Sequence, residues 1–200
     1  EAVAGRADGA VTPLADAGSR RAAGIAVEVL AAIAGTVDEH ADELGRIDAV
    51  AGDGDHGIGM QRGATAAVAA ARVAYGRGAG VGSLLTAAAE AWAGRAGGTS
   101  GALWGIALRR IGETLGDTGT PTPVSVARAL RAARDGICAA GGAEPGDKTM
   151  VDALVPLDIA FAAAARDGAS ATEAWDAAAA AAEKAADDTR NLLPRKGRAR

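Results

Sequence analysis

Aromatic residues are nearly missing from this 200-residue chain: one phenylalanine, one tyrosine and three tryptophans, 2% in all. With hydrophobic residues at 49%, the core has to be built from Ala, Val, Leu and Ile. The single cysteine, Cys138, excludes an internal disulfide. No stretch of eighteen apolar residues runs without a charged or polar interruption, and no signal-peptide pattern is present, so a membrane partner is not expected. A sustained Lys/Arg run is also missing. At a net charge of −4 the chain lacks the basic footprint that nucleic-acid phosphates demand. These absences lead us to expect one soluble, cytoplasmic domain, long enough to bury a real core.

What is abundant is alanine, the best helix former and a residue that lets helices approach closely. Residues 19–35 carry Ile25, Val29 and Ile33 at four-residue spacing, which reads as one apolar core face. A short second helix is expected over 37–44, then a loop over 45–59. Further helical patterns cover 60–74, 83–94, 100–115 and 124–140. Another covers 149–166, bent at Pro156, and Ser170-Ala-Thr-Glu173 is a capping box opening the last helix, to about Asn191. Seven or eight helices without a convincing strand make an all-α fold. Residues 1–18 read as a linker or N-terminal extension and 19–200 as the domain, with both ends of the chain expected to be incomplete.

Three glycine-containing loops carry polar groups. The first packs Asp48, Asp53, Asp55, His56 and three glycines into ten residues. Carboxylates this close repel one another, and a hard divalent cation such as Mg²⁺ is their natural neutraliser. The second is Gly97-Gly98-Thr99-Ser100-Gly101, and the third covers residues 141–150. Loops two and three lead straight into helices, where free N–H groups and a positive dipole end suit an anion. The hydroxyls of Thr99, Ser100 and Thr149 could cap those helices or touch a phosphate.

Three standard motifs fail here. Gly52-x-Gly54-x-x-Gly57 has the letters of a dinucleotide fingerprint but no βαβ context. Gly141-x4-Gly146-Asp147-Lys148-Thr149 resembles a P-loop, yet Asp147 interrupts the Gly-Lys step and a helix precedes it. An EF-hand starting at Asp53 would place Ile58 where glycine is needed and Ala64 where glutamate is needed.

Taken together, the strings Gly52-Asp-Gly-Asp-His-Gly57, Gly97-Gly-Thr-Ser-Gly101, Ala143-Glu-Pro-Gly-Asp-Lys-Thr-Met150 and Lys196-Gly-Arg-Ala199 resemble the nucleotide-binding DhaL (Dak2) domain of dihydroxyacetone kinases. The resemblance implies an eight-helix barrel with the nucleotide, ATP or ADP, bound at one end. It implies that Asp48, Asp53 and Asp55 ligate two Mg²⁺ ions bridging the phosphates. It places His56, Gly57, Ile58, Gly59, Thr99 and Ser100 on the phosphate side of the nucleotide. Gly141 and Met150 flank it, and Arg198 contacts it near the C-terminus. Gly59 departs from the pattern, since some members have asparagine there.

The resemblance further implies a separate DhaK-type substrate domain or subunit that holds a small ketose, dihydroxyacetone or a tetrulose. No catalytic base is assigned to this chain. An ATP-dependent kinase domain, an ADP-carrying subunit of a phosphotransferase-system kinase, and a non-catalytic nucleotide-binding regulator remain open, as does a homodimer. Elsewhere, Lys148 reads as a surface charge beside Asp147, and His40 as exposed. Trp92, Trp104, Trp175 and Cys138 read as core or interface residues. Glu28, Glu90, Asp152 and Asp158 read as solvated or capping groups.

Overall fold

The computed structural model describes residues 15–197. The expected linker, apart from its last few residues, and Arg198 therefore lie outside the described residues. Seven α-helices follow one another: α1 (Ala17–Asp48), α2 (His56–Gly76), α3 (Val81–Ala96), α4 (Gly98–Leu115), α5 (Pro123–Gly141), α6 (Val151–Arg166) and α7 (Ala171–Asp188), then a 3-10 turn, Thr189–Asn191. Among the described residues there is no strand and there are seven helices, so the all-α expectation holds and the count fits the seven or eight read from the pattern, one short of the eight-helix barrel that the resemblance implied.

Start signals in the sequence are honoured. Asp16 caps α1 through Ser19 N–H, and its carboxylate also accepts from the Gly119 N–H. These two bonds, Gly119 first, hold the Asp16 carboxyl below the usual carboxylate range. Thr122/Ser125 and Ser170/Glu173 form capping boxes on α5 and α7.

Two expectations need correction. The helices read at 19–35 and 37–44 are one continuous α1 running to Asp48, and the following loop is only residues 49–55. The second correction concerns which face of α1 is buried. Ile25, Val29 and Ile33 are 66%, 51% and 40% exposed, while Ala23 and Leu30 are 0% and 3%. Ala23 and Leu30 meet α2 and α3, Ile25 and Val29 face outward, and of the expected stripe Ile33 alone lines the interior cavity described below. Ala23 and Leu30 share a core with Met60, Ala67, Leu84 and Trp92. A second cluster joins α4, α5 and the start of α6, and a third joins α5, α6 and α7 around Phe161.

Every extensive interface is between sequence neighbours, and α1 also touches α3. The seven helices nevertheless ring one apolar cavity of about 500 Å³, lined by Leu30, Met60, Trp92, Ala107, Ile137, Leu157 and Trp175, one from each helix in turn. This is the interior of a barrel, whose first and last helices share no extensive interface. Small residues set its closeness at the end that carries the site. A Cβ on Gly57 would lie 1.8 Å from the Ala41 carbonyl oxygen, and one on Gly59 2.6 Å from that of Ala96. Either would force α2 away from α1 or α3.

Urea unfolding can check the burial assignment. Leu30→Ala should cost about 2–5 kcal/mol, whereas Ile25→Glu should stay within about 0.5 kcal/mol. Equal losses would restore the isoleucine face to the core.

Other side chains are also reassigned. Asp158 is 1% exposed and paired with Arg134 at 2.5 Å and Arg131 at 3.7 Å, so it is a buried ion pair and not a solvated or capping group. Asp152, in the first turn of α6, accepts from the Gly146 and Thr149 N–H groups of the preceding loop, so it ties the loop to the helix and is neither solvated nor a helix cap. His40 is exposed and pairs with Glu43. Trp92 is buried; Trp175 is half exposed and meets Phe161 edge-on, centroids 4.9 Å apart.

Candidate functional site

At one end of the barrel, the α1–α2 loop, the α3–α4 junction and the last described residues, Lys196 and Gly197, meet around a cleft of about 370 Å³. Asp48, Asp53, Asp55, His56, Gly59, Thr99 and Ser100 line it, with Gly97, Gly98 and Lys196. Loops one and two, separated by some forty residues of sequence, are thus brought together.

Asp48 ends α1, and its carboxylate organises the loop that follows. The Gly54 N–H donates to its Oδ2 at 2.9 Å, and the Gly52 N–H to its backbone oxygen at 2.6 Å. Gly54 has φ +80°, a left-handed conformation that glycine adopts without strain. The turn leaves Asp48, Asp53 and Asp55 each with an oxygen within 4.8 Å of the others. Asp55 occupies the N-cap position of α2, where aspartate ordinarily accepts a backbone N–H, yet it makes no such bond. Its carboxylate stands with the other two instead. Hard oxygen donors at this spacing fit Mg²⁺, which takes one or two carboxylates and fills its remaining positions with water and phosphate.

Helix α4 is also uncapped. Its N-cap is Gly97, φ +67°, which has no side chain to offer. The remaining helix starts all use a side-chain oxygen. Asp16, Thr122 and Ser170 cap α1, α5 and α7, Ser19 and Asp117 serve α3, and Thr149 serves α6. Among the described residues, α2 and α4 are therefore the two helices whose first N–H groups find no side-chain acceptor. Both open on the same cleft. Free N–H groups and two positive dipole ends there favour an anion.

Other residues expected at the site are placed differently. Gly57 is buried against α1, and Ile58 is 51% exposed on the first turn of α2, outside the cleft lining. Gly141 ends α5 beside Leu103, one turn along α4 from Ser100. Met150 packs into the second core cluster. Thr149 Oγ1 accepts from the Val151 N–H at 3.2 Å, a capping role.

Lys196 is the residue the sequence reading did not single out. Among the described lining residues it is the one lysine or arginine, and the string Lys196-Gly-Arg-Ala199 was its signal. Lys148 is not a free surface charge, because its Nζ donates to the Leu192 carbonyl at 3.1 Å.

The family described as the DAK2 domain matches residues 50–200. The chain belongs to the DAK2 domain family. Among relatives of this DAK2 domain, an L-erythrulose kinase of Pectobacterium atrosepticum is 50% identical over 190 residues, covering 95% of this chain and 32% of that protein. A D-erythrulose kinase of Mycolicibacterium smegmatis is 48% identical, covering 94% and 32%. The chain thus spans about a third of the length of these kinases. The ADP-binding subunit DhaL of the PEP-dependent dihydroxyacetone kinase of Escherichia coli is 32% identical, covering 76% of this chain and 72% of that subunit. The crystal structure of the dihydroxyacetone kinase of C. freundii in complex with AMP-PNP and Mg²⁺ has the same fold, with a TM-score of 0.69 at 24% identity, over 94% of this DAK2 domain and 32% of that chain.

Ser100 lies in the first turn of α4 but is not its cap. Ser100→Ala should therefore leave stability within about 0.5 kcal/mol. If the hydroxyl donates to a phosphate oxygen, nucleotide affinity should fall roughly tenfold or more. A lowered melting temperature with an unchanged dissociation constant would remove Ser100 from the site.

Proposed function

We propose that this DAK2 domain is the nucleotide-binding part of an ATP-dependent ketose kinase. The observation that carries the reading is the convergence of three carboxylates and two uncapped helix starts on one cleft. Carboxylates alone would repel a triphosphate, and helix starts alone would hold it without neutralising it. Both together suit phosphates bound with cations.

Asp48, Asp53 and Asp55 would hold two Mg²⁺ ions. Bound there, the ions supply charge neutralisation on the phosphate oxygens, the largest contribution a protein offers phosphoryl transfer. The first N–H groups of α2, from His56, Gly57 and Ile58, and those of α4, with the Thr99 and Ser100 hydroxyls, orient the phosphates. Gly141, Met150 and Arg198 would flank the rest of the nucleotide. The γ-phosphate passes to a hydroxyl of a small ketose, dihydroxyacetone or a tetrulose, held by a DhaK-type domain that also supplies any base.

The erythrulose kinases match at 50% and 48% identity, with about two thirds of their length left for such a domain, which favours the ATP-dependent reading. An ADP-retaining subunit is the second reading, favoured by the match to most of the E. coli DhaL subunit.

Titration calorimetry tests the core of this proposal. ADP and ATP should bind in Mg²⁺ and fail to bind in EDTA. Equal affinity in the two buffers would overturn the assignment of the aspartates.

A further inference from the structure

The last described residues form a strap, 192–197, that runs back over the third loop and ends in the cleft. We propose that Asp147 and Lys148 are positioning residues that hold this strap so that Lys196 reaches the phosphates; the inference rests on the nucleotide reading above. The third loop then serves the site through the strap, in addition to any contact of its own.

The tethers form a short chain of bonds. Asp152, in the first turn of α6, accepts from the Gly146 N–H at 2.5 Å and the Thr149 N–H at 2.8 Å, which pins the loop to the helix. Asp147 is buried and closes a tight turn. Its N–H donates to the Glu144 carbonyl at 3.1 Å, and its Oδ2 accepts the Glu144 N–H at 3.0 Å. From this fixed point the Asp147 carbonyl accepts the Arg195 N–H at 3.0 Å. Lys148 adds the second tether, Nζ to the Leu192 carbonyl at 3.1 Å. It is also the one non-glycine residue with positive φ among those described, +59°. Such a conformation is uncommon for a side-chain-bearing residue, and here it turns the lysine toward the strap. Two bonds three residues apart thus fix both the position and the direction of the strap.

Lys196 is what the strap delivers. Its Nζ lies 4.0 Å from Asp147 Oδ2, beyond hydrogen-bond distance, and its side chain is 44% exposed. The ammonium is held near the cleft without being consumed by Asp147. An ammonium in this place meets a phosphate oxygen as a point charge with three donors.

The test uses the full 200-residue chain and reads MgATP affinity, helicity and tryptic cleavage after Arg195 and Lys196. Lys196→Met should weaken MgATP by about tenfold or more, and Lys196→Arg should retain most of it. Asp147→Ala, which removes the oxygen that accepts the Glu144 N–H, and Lys148→Gly should each speed cleavage after Arg195 and weaken MgATP severalfold, with helicity unchanged. Glycine accepts the positive φ at 148, so that variant removes the tether and not the turn. The double variant Asp147→Ala/Lys196→Met should bind no worse than Lys196→Met alone, because the two act in series. Multiplying losses would overturn the positioning role, as would loosened straps that bind MgATP like the parent. Should the parent chain bind MgATP and Lys196→Met bind it equally, the inference fails while the nucleotide site stands. Should the parent chain bind no MgATP, the nucleotide reading fails and takes the inference with it.

Discussion

Asp53→Asn and Asp55→Asn are each expected to weaken magnesium-dependent nucleotide binding by about 100-fold or more, since losing a direct ligand should exceed the 10- to 100-fold cost of losing a supporting contact. Both side chains are exposed, and Asp55 makes no capping bond to α2, so helicity should not change in Asp55→Asn. Asp48→Asn is expected to behave differently. Its Oδ2 accepts the Gly54 N–H, and a Cβ added at Gly52 would sit 2.4 Å from its Oδ1, so the carboxylate also shapes the loop. That variant should lose binding together with order in residues 49–55, visible as faster amide exchange there. Calorimetry with ADP and ATP at saturating Mg²⁺ checks the first pair. Retained affinity in either would mean that the carboxylates cluster for another reason.

The second large effect is catalytic. Alone, this chain is expected to phosphorylate neither dihydroxyacetone nor a tetrulose, and to do so once a DhaK-type domain is added. Phosphoryl transfer draws most of its acceleration from positioning and charge stabilisation. Without a site that aligns the acceptor hydroxyl, the effective concentration of that group is lost, a factor of roughly 10⁵ or more. A coupled ADP-release assay with and without the added domain would read this directly. Robust turnover by the isolated chain would place a ketose site on these helices.

The carboxylate cluster was legible because it is contiguous: Asp48, Asp53, Asp55 and His56 fall within nine residues. The two uncapped helix starts were half legible, since Gly97-Gly98 marks a helix boundary but says nothing of what it faces. The path of α1 was not. Gly35 and Gly45 read as breaks because glycine in a helix interior costs about 1 kcal/mol. Neighbouring helices override that cost, and Gly45 sits where a Cβ would meet the Gly54 carbonyl oxygen at 3.0 Å. Nothing in the structure explains Gly35. The buried face of α1 was misjudged for a related reason. Periodicity identifies a stripe by the size of its residues, and here the face that packs is the small one, Ala23 and its neighbours, which lets α2 and α3 come close. Lys196 escaped because a lysine among other basic residues carries no local signature of the loop that tethers it.

The order in which helices pack bears on how the chain acquires its form. Neighbour-on-neighbour packing keeps contacting residues close in sequence, and chains of low contact order fold in microseconds to milliseconds. The helical frame can therefore grow from any adjacent pair. Competence to hold phosphate has a different schedule. Its pieces come from residues 48–56, 97–100 and 196, and the last of these takes its place only after α7 and the 3-10 turn have been laid down. During synthesis, a chain that already shows most of its helicity would still lack Lys196 at the cleft, so far-ultraviolet circular dichroism would report a folded protein before nucleotide binding does.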